Sequence, residues 1–305
     1  MAEFSTQEVL YHLNAGLSLQ KAELSTIDLQ GKSLDSGNFS GAYLRKANLV
    51  DASCQETDFS GATCILADMR GIYLQDGLLN KATLTQADLR EANFIRVQAK
   101  DAIFVGASLD DVEASLAVFD GCDFRDVQAP RACFKSSSLP QTQFDRANVS
   151  QSCFTSALLT QSQWRETIAS GVSLSSAQLD HADFQAAILL GANLSQSQGH
   201  SVNFLGVDLT GAVLRQAVLD WSDMAQCVAV QADFRGASLF EVSLEAANLT
   251  RANFAGADLR RANFEEAQLE GACLDDCRVS GAIFSDCTGL TLAQRQILRK
   301  GGAIL

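Results

Sequence analysis

A chain of 305 residues with 47% hydrophobic side chains and only 2 Pro can bury a core and is not disordered by composition. Its formal charge of −13 excludes the sequence-independent nucleic-acid binders, which need Lys and Arg to neutralise phosphates. Nine Cys is an odd number whose spacing matches neither a disulfide framework nor paired CxxC zinc motifs, which points to a reduced, cytoplasmic protein.

Residues 1–21 read as an N-terminal cap and lead-in. The first thirty residues lack a basic start followed by an apolar block, so no secretory signal is expected, and no run approaches the roughly 18–20 apolar residues of a membrane helix. Ser5-x-x-Glu8 is a capping box, and Phe4 with Val9 fits a hydrophobic staple ahead of a short helix that ends near Gly16. Val9, Leu10 and Leu13 are expected to lie on the coil that follows.

From Ala22 to about Gly289 the chain keeps a period of five: AELST, IDLQG and KSLDS at the start, ANFAG, ADLRR and ANFEE near the end. Of 53 consecutive pentads, 45 carry Leu, Phe, Met, Trp or Val at the third place, and 30 carry Ala at the first. Neither a helix nor a flat strand has this period, so the repeat itself must define the fold. One large and one small apolar residue per pentad are expected to point inward. Where the third is small the first is larger: Val97 with Ala99, Val112 with Ala114, Val127 with Ala129, Cys227 with Ala229. The two places share one volume, as close packing requires.

A step of twenty from Phe104 gives Phe124, Phe144, Trp164, Phe184, Phe204, Met224, Leu244, Phe264 and Phe284. Four pentads per coil would stack these side chains along one wall at roughly 4.8 Å, the spacing of neighbouring strands. The 53 pentads then make about thirteen coils, a rod on the order of 60 Å long.

Residues 290–305 read as a second cap, opened by Thr291-x-x-Gln294 and stopped at Gly301. Leu292, Ile297 and Leu298 are expected to cover the last coil.

The pentads AELST, ANLVD, ADLRE, ANLSQ, ADFRG and ADLRR resemble the A-(D/N)-L-x-x consensus of the pentapeptide-repeat family. The resemblance implies an all-β fold, a right-handed quadrilateral β-helix. It also implies a non-enzymatic protein that binds other proteins, as some bacterial relatives do. Family members that bind topoisomerases dimerise through the C-terminal segment, which makes Leu298, Ile304 and Leu305 candidate homodimer contacts.

No cofactor, metal or active site is expected. His12, His181 and His200 stand far apart on the expected rod, and no GxxxxGK[ST] or GxGxxG stretch is present to cradle phosphates. Cys54 and Cys64 at third places, with Cys122, Cys227, Cys277 and Cys287 at first places, read as small core hydrophobes. Cys133 and Cys153, one coil apart on the same side, admit a redox pair or a metal site, although two thiols alone do not close a zinc site.

Function is therefore expected on the outer faces. Two adjacent sides are acidic, with 11 acids against 5 bases and 9 against 4. Asp51, Asp68, Asp110, Asp111, Asp126, Asp145, Glu265 and Glu266 are candidates for a DNA-mimicking face directed at a type II topoisomerase such as DNA gyrase, as in some family members. A less charged side presents Leu78, Val118 and then Leu158, Val218, Trp221 and Phe240, candidates for docking a protein partner through an outward Trp.

Overall fold

Every pentad is held by the same backbone hydrogen bonds, and these fix the course of the chain. Counting positions from Ala22, the position-1 N–H donates to the position-3 carbonyl just before it (Ala22 to Leu19, 3.1 Å), closing a turn. Position 2 donates one coil back (Tyr43 to Ala22, 2.9 Å), and positions 3 and 5 donate one coil forward (Leu24 to Tyr43, 2.8 Å; Thr26 to Arg45, 2.9 Å). The computed structural model describes residues 3–305 and divides into two compact halves, Met1–Cys153 and Phe154–Leu305. Both are built this way, the second through Ala182 to Leu179, Asp183 to Ser162, Phe184 to Asn203 and Ala186 to Leu205.

Position 2 carries the sheet. Glu23, Asp28, Ser33 and Asn38 pair in parallel with Tyr43, Asn48, Ser53 and Asp58, and in the second half Asp183, Ile188, Asn193 and Gln198 pair with Asn203, Asp208, Val213 and Val218. Four such columns, each stepping by twenty residues, make each half a parallel β-helix.

Position 5 turns the corner. Every fifth residue from Lys21 to Asp286 has a positive φ, including Leu66 (57°), Leu116 (62°) and Trp221 (60°). For an L-residue other than glycine this left-handed conformation costs roughly 1–2 kcal/mol. The N–H it aims at the next coil offsets that cost.

Position 4 is the one N–H without a backbone acceptor in this scheme, and it explains the Asp and Asn of the repeat. Every Asp or Asn at position 2 accepts the N–H of the residue two places on, as in Asp28 to Gln30 (3.2 Å), Asn93 to Ile95 (3.1 Å), Asn203 to Leu205 (3.0 Å) and Asp223 to Ala225 (3.0 Å). These are Asx turns, a polar side chain standing in for a backbone acceptor.

The core is made of the stacked columns expected from the sequence. Phe104, Phe124 and Phe144 stack at 4.8 and 4.9 Å in the first half, and Trp164, Phe184 and Phe204 at 5.3 and 5.2 Å in the second. Trp164 is fully buried and gives its indole N–H to the Ser162 hydroxyl (2.7 Å), which in turn donates to Leu159 O (2.6 Å). Thr57 and Ser152, buried hydroxyls at position 1, likewise donate to backbone oxygens, of Leu34 and Ala129, whereas the buried Ser197 hydroxyl has no hydrogen-bond partner among the described residues.

In the first half, helix α1 (Thr6–Asn14) carries the Ser5/Glu8 capping box and buries Val9, with Leu10 and Leu13 half-buried beside it. In the second half, helix α2 (Leu292–Lys300) is capped by Thr291 and Gln294. It departs from expectation: Leu298 is buried, but Leu292 is 82% and Ile297 63% exposed. Gln294 donates to Ala272 O and Arg295 to Cys287 O, so the helix face holding 294, 295 and 298 meets the coil and turns 292 and 297 away. The chain then rejoins the sheet, Ile304 pairing with Ile283 and exchanging bonds with Ala282 and Phe284.

Val112 and Ala114 are both buried, as are the other traded pairs. Ala114→Leu should therefore destabilise the protein by about 1–3 kcal/mol through overpacking, and adding Val112→Ala should restore most of that loss. Urea unfolding of the two single variants and the double variant checks this, and strict additivity would show that the positions do not share a volume.

Candidate interaction surfaces

The fourth and fifth positions are the most exposed parts of the repeat, and along one edge of the second half they carry aromatic and cationic side chains on successive coils. The His200 ring lies 5.6 Å from Trp221, which meets Phe240 edge-on at 6.0 Å. The guanidinium groups of Arg260 and Arg261 lie over Phe240 at 5.5 and 5.8 Å. Trp221 remains 50% exposed on its left-handed corner, whereas Phe240 is half-buried. Arg260 is held by Asp258 and Arg261 by Glu241 (both 2.7 Å), so the cations are fixed in place beside the ring.

Of the four apolar candidates, the structure brings Trp221 and Phe240 together, with Val218 on the same coil as Trp221. Leu158 is three coils away in its column, with Gln178 and Gln198 between it and Val218. Leu158 and Val218 are half-buried bridge residues.

Histidine placement differs from expectation. His200 lies one twenty-residue coil on from Asp180, whose next residue in the chain is His181, so both histidines neighbour Asp180. Asp180 accepts both the backbone N–H and the ring nitrogen contact of His200 (each 2.9 Å). Burial opposes the charge on Asp180, but the His200 contacts and the nearby His181 hold its pKa below the ordinary value. His12 lies in the other half, its ring 5.2 Å from Phe4.

Three of the eight acidic candidates are paired with Arg. Asp68 is clamped by Arg70, Asp111 by Arg131 and Asp126 by Arg146, each through two hydrogen bonds. The same pairing recurs at Asp88 with Arg90, Asp76 with Arg96 and Asp123 with Arg125. Asp51, Asp110, Glu265 and Glu266 have no ion pair among the described residues; Asp145 is half-buried on the Phe-stack side. The D-x-R spelling of the first kind of pair, and the twenty-residue step of the second, were available in the sequence once the corner geometry is known.

The three dimer candidates are also separated by their environments. Leu298 is buried against its own half, Leu305 is half-buried, and Ile304 is 56% exposed while its backbone is used internally.

Five of the six cysteines expected in the core are buried, Cys277 is not, and none of the nine is in a disulfide. Burial pushes the thiols of Cys64 and Cys227 up to about 12, and Cys122 and Cys287 donate to the backbone oxygens of Ala99 and Phe264. Cys277 is half-buried and donates to Phe254 O. No group of three or more His, Cys, Asp or Glu able to hold a metal occurs among the described residues.

The family model for pentapeptide repeats matches the chain at residues 38–76, 67–104, 78–113, 177–216, 217–254 and 247–286. No curated protein matches the sequence. Among solved structures, the chain is similar to HetL, a pentapeptide repeat protein involved in heterocyst differentiation regulation in the cyanobacterium Nostoc sp. strain PCC 7120 (24% identity, 94% of this chain, 99% of that one, TM-score 0.20). It is similar to full-length QnrB1, a plasmid-mediated fluoroquinolone resistance protein (14%, 92% and 98%, 0.26). It is also similar to a pentapeptide repeat protein of the Arabidopsis thaliana thylakoid lumen (28%, 44% and 77%, 0.19). At these TM-scores the likenesses carry no argument of their own; the family assignment rests on the repeat.

Acid gives a direct check on the clamped carboxylates. Hydrogen bonding from Arg235, opposed by burial and supported by Arg215, lowers Asp233 from 3.8 to about 2. A carboxylate depressed in the folded state stabilises above its unfolded pKa and loses that contribution as pH falls through the folded value. Asp233→Asn should therefore cost about 1 kcal/mol at neutral pH, solvent screening of the half-exposed Arg partners reducing the effect, and flatten the loss of stability between about pH 4 and pH 2, measured by urea unfolding across that range. An unchanged acid profile would show that the Arg215–Asp233–Arg235 cluster contributes nothing net.

Proposed function

The chain belongs to the pentapeptide-repeat family, and from that premise we propose that it is a non-enzymatic scaffold or adaptor, cytoplasmic, that binds a protein partner through the outer faces of right-handed, four-sided coils. The observation that carries this reading is the exposed Trp221 set between His200, Phe240 and the paired Arg260 and Arg261. Aromatic and Arg side chains are over-represented among residues that dominate interface energetics. A Trp at a left-handed corner is held by its backbone rather than by a core, so it is free to be covered by another molecule.

The physical economy of the fold supports a binding role. Positions 1 and 3 are consumed by the core and position 2 by the bridges, which leaves positions 4 and 5 to vary without disturbing the coil. A repeat surface of this kind presents side chains at a fixed spacing on a preorganised backbone, and preorganisation reduces the entropy lost on binding.

The acidic DNA mimic is the second reading, favoured by the charge of −13. The ion pairs at Asp68, Asp111 and Asp126 weigh against it, because each Arg cancels the charge that would meet a basic groove.

Affinity capture with the tagged full chain at low and high salt, beside Trp221→Ala, tests the two. A salt-resistant partner whose recovery falls at least about tenfold on Trp221→Ala, a loss near 1.4 kcal/mol or more, fits the scaffold. Recovery of topoisomerase subunits only at low salt and regardless of Trp221 would replace it with the mimic, since contacts between exposed charges are screened by salt.

A further inference from the structure

Cys133 and Cys153 occupy position 2 on successive coils of the first half and are direct partners in one parallel bridge. The backbone bonds Cys153 N to Ala132 O (2.9 Å) and Phe134 N to Cys153 O (2.7 Å) lock their register. Directly paired residues of parallel neighbours project to the same side, so the two thiols stand next to each other on the outer face, about 4.8 Å apart at the backbone. Both are half-buried.

This arrangement differs from that of the other cysteines. Cys54 and Cys64 are sealed in the core, and Cys122, Cys277 and Cys287 point inward and donate to backbone oxygens. Cys273 is half-buried at position 2 like the pair, but its bridge partner is Asn253 and its thiol lies 3.4 Å from Asp275. The chain thus has one side-by-side dithiol and, at Cys273, one position-2 monothiol.

A direct S–S bond fits the pair poorly, because side-by-side Cβ atoms keep the coil spacing of about 4.8 Å whereas a disulfide has a mean Cβ separation of about 3.8 Å. An atom inserted between the sulfurs relieves that mismatch. We propose that Cys133 and Cys153 form a bidentate dithiol site for trivalent arsenic. With an arsenoxide, two S–H bonds and the arsenic–oxygen bond break, two As–S bonds form, and the oxygen leaves with both protons as water. No oxidation state changes, so no oxidant is required. Ser115, whose hydroxyl is 3.5 Å from the Cys133 sulfur, lines the approach.

The test is phenylarsine oxide added to the native full-length chain, followed by intact mass and free-thiol titration. Wild type should take up one equivalent with loss of two reactive thiols. Once the first As–S bond has formed the second is intramolecular, so glutathione should strip the adduct on the order of 100-fold more slowly than from either single-Cys variant, while 1,2-ethanedithiol should strip it readily. Cys133→Ser and Cys153→Ser should each abolish the glutathione-resistant adduct, and Cys273→Ser should keep it. Ser already occupies position 2 at Ser33, Ser53 and Ser138, so the substitutions suit the fold; matching thermal unfolding of the variants verifies it. No native adduct in wild type, an adduct that survives both substitutions, or equal stripping by glutathione from wild type and single variants would overturn the proposal.

Discussion

A left-handed residue at every fifth position is the constraint on which the rest of this structure depends. It turns the chain so often that, among the described residues, no strand grows beyond a single bridge. It also sends one N–H into the neighbouring coil, so adjacent coils are tied by main-chain bonds that no side chain can alter. Most of these corners are not glycine, and the conformational cost of each is sustained because stacked coils repeat the same bonds above and below. Inward positions then have one fixed volume per pentad, and outward positions inherit a fixed spacing.

From this constraint follows the division of labour among side chains. Ala and Leu or Phe fill the column, Asp and Asn at position 2 complete the backbone by accepting the position-4 N–H, and the corners carry whatever the surface requires. The Asp of the repeat serves two ends at once where an Arg follows two places on: in Asp233-x-Arg235 one carboxylate accepts a backbone N–H and clamps a guanidinium. Part of the formal acidity is therefore structural. The surface left for recognition is smaller than the charge suggests, and the aromatic edge around Trp221 is its most distinctive part.

The period of five, the twenty-residue step, the aromatic columns and both capping boxes were legible in the sequence because each is a pattern of volume or hydrogen-bonding type at fixed spacing. Pairing across coils was not. Arg131 with Asp111, and His181 beside His200, require knowing that a separation near twenty means adjacency at a corner. The role of position-2 Asp and Asn was hidden because an Asx turn leaves no trace in hydrophobic periodicity. Leu292 and Ile297 were misjudged because a nine-residue helix buries only the narrow face that meets the coil, and here Gln294 and Arg295 hold that face through backbone oxygens. The return of Ile304 to the sheet had no sequence signal, since three residues after a glycine pair form no pattern.

Amide hydrogen exchange resolved to single residues is the most direct test of this account. Protection should follow a period of five through both halves, strong at positions 1, 2, 3 and 5. At position 4 it should be strong after Asp or Asn, as at Ile95, Leu205 and Ala225, and weak at residues such as Thr85, Ser170 or Val230 that follow no such acceptor. Uniform protection at position 4, or exchange at position 5 as fast as in an open loop, would contradict the claim that left-handed corners and position-2 Asp and Asn complete the backbone of the repeat.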